Sequence, residues 1–213
     1  MQKYGVTETI PVSLRERRRA ETWAEIHEAA ALLAVDRGIE HTTIEAIAGD
    51  AGVSARTFFN YFRSKEDAVL GLREPSLDRN LLSELSLEQE LLGQVSRLLL
   101  AVAQTALGST DSARRRSLMK DQPHLRQRQM EYMIKAEDMV RRGLADWLTE
   151  NPGWPGSSTE FSAEEISRML VMVGGVPVRF TLTAPGYEPG TGLTAEDIAP
   201  AITLLHHLQR NLS

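Results

Sequence analysis

The distribution of apolar and polar positions along the chain has the period of helices nearly throughout. Trp23, Ile26, Ala30 and Leu33 share one side of a segment that Ser13 and Glu16 open as a capping box and Gly38 closes. Ile44, Ile47, Ala48 and Ala51 repeat at i, i+3, i+4 and i+7, giving a short amphipathic helix. Thr42 with Glu45 is expected to cap it, and Gly52 supplies the turn that follows. Ser54 then caps a second short helix, in which Phe58 and Phe62 point inward while Ala55, Arg56, Thr57, Asn60 and Tyr61 face outward. Two short helices joined by a glycine turn over Thr42 to Asp67 form a helix-turn-helix.

Farther on, Ser64 with Asp67 opens a helix that Pro75 is expected to break within Arg73–Ser76. Leu85 to Leu107 is apolar on most sides and reads as a buried helix. Helices are expected over Asp111–Met119, over Asp121–Glu150 with an Asp cap, from Ser162 to Ala184, and from Thr194 to Asn211. Pro177 should kink the penultimate helix, and Gly174 with Gly175 would admit a close neighbour. Asn151–Ser158 and Pro185–Gly192 read as loops, and no strand pattern is convincing. The expected fold is all-α: a three-helix N-terminal domain over residues 1–70, with a flexible arm at 1–12, and a larger helical domain over 71–213.

The outward face of the second short helix suits DNA. Arg56 can grip guanine with two hydrogen bonds, Asn60 can pair with adenine, Thr57 offers a hydroxyl and a methyl, and Tyr61 can reach phosphate. The net charge of −5 argues against a non-specific nucleic-acid coat, but Arg15, Arg17, Arg18 and Arg19 gather just before the motif and make the local potential positive.

The stretch resembles the DNA-binding region of the tetracycline-repressor (TetR) family of bacterial transcriptional regulators. The residues that carry the resemblance are Ile47-Ala48, Gly52-Val53-Ser54, Thr57, Phe58-Phe59, Tyr61-Phe62 and Ser64-Lys65-Glu66-Asp67. Where many members have a tyrosine that touches phosphate, this chain has Phe59, which offers ring contact alone. The resemblance covers the N-terminal third of the chain. It implies a homodimer on a double-stranded DNA operator, contacted by Arg17, Arg18, Thr42, Thr43, Ser54, Ala55, Arg56, Thr57, Phe59, Asn60, Tyr61 and Lys65. It also implies a second domain that encloses a small apolar effector. Six of the seven methionines fall in that domain, and methionine either lines an adaptable cavity or fills core gaps. The expected lining is Met130, Met133, Trp147, Met169, Met172 and Phe180, with Arg179 as an anion partner. The run Asp121–Arg128 is similar to a branch of the family that accepts acyl-type ligands.

The subunit contact is expected through the last two helices, with Ile198, Ile202, Leu205 and Leu208 as its apolar seam. Five histidines form no i, i+4 pair, so no metal or other cofactor is expected, and no catalytic motif gives an enzyme reading a residue to stand on. The absence of cysteine fits a cytoplasmic chain, and no stretch reaches the ~20 apolar residues that span a bilayer. The rival reading is a constitutive DNA-binding protein whose larger domain only dimerises.

Overall fold

The computed structural model describes residues 13–86, 90–108, 112–153, 160–185, 187 and 192–212. The arm at 1–12 and most of both loops lie outside them. Among the described residues the regular structure is entirely helical, and the chain divides into two compact units between Val69 and Leu70.

The first unit contains α1 (Leu14–Arg37), a short 3-10 turn (Ile39–His41), α2 (Ile44–Asp50), α3 (Ala55–Phe59) and α4 (Lys65–Leu70). Its core follows the apolar period: Trp23, Ile26, Ala30 and Leu33 of α1 are buried with Ile47, Ala48, Phe58 and Phe62. The rings of Trp23 and Phe58 lie 5.4 and 5.9 Å from that of Phe62, so three aromatics consolidate a unit too small to rely on aliphatic area alone. Ser13 and Glu16 form the expected capping box, and Ser64 accepts a hydrogen bond from the Asp67 N–H at the start of α4.

α2 corrects one expectation. Its cap is Thr43, whose hydroxyl accepts from the Ala46 N–H at 3.2 Å, not Thr42 with Glu45. Thr42 is buried and donates its hydroxyl to the Gly38 carbonyl at 2.9 Å, because the 3-10 turn doubles the chain back on that carbonyl. A second correction concerns the break after α4. The helix already stops at Leu70, and Gly71 has φ 63°, a left-handed conformation that terminates helices. The interruption therefore begins before Pro75 and runs to Asp78, which caps α5 (Arg79–Ser83).

The second unit adds α6 (Leu91–Leu107), α7 (Ser112–Lys120), α8 (Pro123–Glu150), α9 (Ala163–Leu182) and α10 (Ala195–Leu212). α6 begins at Leu91 and not at Leu85, since Glu90 caps it by accepting from the Gly93 N–H and Gln94 folds back to bind both backbone groups of Ser86. α8 starts at Pro123 without a side-chain cap, so Asp121 does not fill the role expected of it. Ser162–Glu165 and Thr194–Asp197 do cap α9 and α10. α9 is a continuous helix through Pro177.

Val95, Leu98, Leu99 and Val102 of α6 meet Val140, Leu144, Trp147 and Leu148 of α8 and Val171 of α9 in the main core. A smaller cluster joins Leu100 of α6 to Ile198 and Ile202 of α10. Those two isoleucines therefore belong to the subunit's own interior and not to a seam between subunits. Gly174 likewise serves α6, for a Cβ there would lie 2.7 Å from Val95 Cγ1, whereas Gly175 faces open space. Within the second unit, which begins at Leu70, the buried guanidinium of Arg115 on α7 donates to the Leu70 carbonyl and to the Leu107 carbonyl left unpaired at the end of α6.

Candidate nucleic-acid interface

The turn between α2 and α3 is held by main-chain hydrogen bonds from Gly52 N–H to the Gly49 carbonyl at 3.1 Å and from Val53 N–H to the Ala48 carbonyl at 2.9 Å. Gly52 sits at φ 65°, where a Cβ would be strained. Ser54 then accepts from the Thr57 N–H at 3.1 Å, and the two hydroxyls meet at 2.9 Å. With Phe58 buried beneath, α3 has one choice of outer face: Arg56, Phe59 and Asn60 are exposed, and Ala55, Thr57 and Tyr61 are half-buried beside them. One cation, one amide and one aromatic ring are thus presented on a single short helix whose rotation is locked by its cap and its buried phenylalanine. Such a surface can read base edges. Thr43 and the cationic run Arg15, Arg17, Arg18 and Arg19 are exposed as well.

Five of the twelve expected contacts also serve the fold: Thr43 through the cap of α2, Ser54 and Thr57 through the cap of α3, and Thr42 and Lys65 elsewhere. Thr42 is internal, as described above. Lys65 is half-buried, and its ammonium donates to the carbonyls of Ile39 at 2.8 Å and Thr42 at 3.0 Å, so it ties α4 to the turn that precedes α2. An ammonium has three donors, which leaves Lys65 one for a phosphate. Sequence reasoning also missed His27, whose Nδ1–H donates to the Ala68 carbonyl at 2.6 Å across 41 positions of sequence. A lone histidine on a helix carries no pattern that would announce such a partner.

The seven residues expected to line an effector cavity do not surround a common one, although Met169 and Met172 share an open hollow of about 540 Å³ with Phe161 and Ile166. Trp147 lies in the main core and Met133 is half-buried. Met130 and Arg179 are exposed, and Met169, Met172 and Phe180 keep 62, 64 and 55% of their surface open. With Val176 they form a stripe at spacings of three and four along the outside of α9. Leu204 and Leu208 are exposed on α10. A hollow of about 990 Å³ does open between the Pro75–Ser83 segment and α8, over Leu77, Leu82, Met139 and Gly143, with Arg142 on its edge; of the seven, only Trp147 borders it.

Residues 26–70 match the family described as bacterial regulatory proteins, tetR family. The HTH-type transcriptional regulator TcmR of Streptomyces glaucescens is 42% identical over 57 residues, 27% of this chain, and the chain spans 25% of that relative's length. Among solved structures, a transcriptional regulator FadR from Bacillus subtilis in complex with stearoyl-CoA is 17% identical, covering 87% of this chain and 97% of that one with a TM-score of 0.45. Thermus thermophilus FadR in complex with lauroyl-CoA is 23% identical over 86 and 93% of the two chains, with a TM-score of 0.39.

Proposed function

We infer, from an N-terminal unit whose residues 26–70 match the tetR family of bacterial regulatory proteins, that this chain is a homodimeric repressor. It leaves a near-palindromic operator when its larger unit takes up a small apolar, acyl-type molecule. The observation that carries the DNA-binding part is the exposed trio Arg56, Phe59 and Asn60 on a helix fixed by Ser54 and Phe58. Two such helices grip successive major grooves when they stand about 34–36 Å apart, which a twofold dimer provides. The exposed stripe of α9 and the exposed leucines of α10 support a subunit contact there, with Leu208 kept from the expected seam and Ile198 and Ile202 removed from it.

For the effector, the apolar floor of the hollow beside α8 fits a hydrocarbon body, and Arg79 on its edge offers a cation to an anionic group. Arg142 is instead paired with Asp138 at 2.8 Å, and Asp146 and Glu150 border the same hollow. The competing reading, a constitutive DNA-binding protein, draws support from Met130, Met169, Met172 and Phe180, none of which is enclosed. Selection of bound duplexes from a random pool tests the first part: an enriched inverted repeat supports the proposal, and recovery of unrelated sequences refutes it. Screening acyl-type anions for release of the selected duplex separates the two readings, since a constitutive binder releases it for none of them.

A further inference from the structure

α1 is charged in opposite senses at its two ends, and each end also exposes apolar surface. At its start, Arg15, Arg17, Arg18 and Arg19 surround Leu14, which is 72% exposed. Toward its other end, an open groove of about 1250 Å³ runs along α1 and the α2–α3 turn, with Leu32 and Val35 at 55 and 59% exposure and the carboxylates of Glu25, Glu28, Asp36 and Asp50 around them. Arg15 and Arg17 at the first turn of α1 and Asp36 at its last each stand beside the helix terminus whose partial charge has their own sign, so these charges do not stabilise the helix that carries them. Arg37 pairs with Asp36 within the groove and leaves its net sign negative.

Arg17 stands roughly 12 Å along the axis from Glu25 and roughly 28 Å from Asp36 at ~1.5 Å per residue, both beyond the ~10 Å over which exposed charges interact at 0.1 M salt. One rigid helix cannot fold its own cationic end into its own groove. We propose that the groove receives a second copy of this chain: the Leu14–Arg19 end of one copy seats on the Leu32–Val35 floor of another, its arginines against the carboxylate rim. The choice of a second copy rests on complementarity in both properties at once, since the sequence itself carries the cationic, leucine-tipped end that an acidic apolar groove fits. The contact joins unlike surfaces, so it leaves one free end at each side and adds copies with rising concentration. It uses the arginines assigned above to phosphate, and therefore competes with DNA for the free protein.

Sedimentation velocity of the DNA-free full chain at low salt tests this. The expected result is a sedimentation coefficient that climbs with concentration beyond the base oligomer, whatever that oligomer is, and flattens at high salt. Both Glu25→Lys/Asp50→Lys and Arg17→Glu/Arg18→Glu should abolish the climb, and mixing the two variants should restore it, because each then supplies the end the other lacks. All four positions are exposed or carry solvent-facing charge, and circular dichroism checks that the variants fold. A wild-type coefficient that stays constant with concentration overturns the proposal, as does a climb that persists in both variants or survives high salt, or a mixture that stays dispersed.

Discussion

The ammonium of Lys65 directs two of its three donors at the carbonyls of Ile39 and Thr42, so removing it affects the fold of the first unit before it affects DNA. Hydrogen bonds from a charged group contribute about 1.5–3 kcal/mol each when both ends are shielded, and Lys65 is only half-buried. Lys65→Met is therefore expected to lower unfolding stability by about 2 kcal/mol in a urea titration. Unchanged stability with weakened DNA binding would return this residue to a purely phosphate-contacting role. Arg56 and Asn60 are exposed on the outer face of α3. Arg56→Ala and Asn60→Ala should each cost roughly 1–3 kcal/mol on a selected duplex and little on random DNA, measured by fluorescence anisotropy. The outward face of α3 was legible from the sequence because a helix with Phe58 and Phe62 inside has one possible outside. Thr42 and Thr43 were not separable, since both offer a hydroxyl; the carbonyl of Gly38 that claims Thr42 is positioned by a turn without periodicity.

Elements show the same division between local and distant causes. The capping boxes at Ser13, Ser162 and Thr194 depend on residues three apart and were readable without the fold. The hydroxyl and N–H of Ser162 hold the Glu165 carboxyl below its ordinary range, and Ser13 does the same for Glu16. A carboxylate depressed in the folded state contributes stability that is complete above its unfolded pKa, ~4.3 for glutamate, and is lost as pH falls through the lower folded value. The unfolding midpoint of Ser162→Ala should thus lie below that of the wild type at neutral pH and approach it in acid, by thermal denaturation at a series of pH values. The break after α4 was misplaced because Pro75 is the louder signal, whereas Gly71 takes the left-handed conformation first. Gly174 was recognised as a close-approach glycine, but its neighbour proved to be Val95 of the same chain. Gly174→Ala forces a methyl to within 2.7 Å of Val95 Cγ1 and is expected to cost about 1–3 kcal/mol of stability in urea, the usual range for an overpacked core. An unshifted urea midpoint would mean that α6 and α9 can part without loss.

At the scale of the whole molecule, the all-helical architecture was legible because apolar periods of 3.6 recur over almost every segment, but which way an apolar stripe faces was not. Met169, Met172 and Phe180 read equally well as the wall of a cavity or as the face of a subunit contact, since either use asks only for apolar side chains at helical spacing. Their exposure in the single chain favours the second use, and in a twofold dimer α9 and α10 of each subunit would form a four-helix bundle. Met172→Glu would then bring a carboxylate into that contact, where its loss of hydration has no compensating partner. A tenfold to hundredfold rise in the dimer dissociation constant, about 1.4–2.8 kcal/mol, is the expected outcome in sedimentation equilibrium. Met130→Glu, on the outer side of α8, provides the control and should leave the mass unchanged. On DNA the weakened dimer must assemble from separate subunits, so occupancy of a selected inverted repeat should have a higher midpoint and rise more steeply with total protein concentration than it does for the preformed wild-type dimer. If Met172→Glu keeps the wild-type mass and wild-type binding to both half-sites, the exposed stripe of α9 is not the subunit contact, and its apolar surface has some other cover.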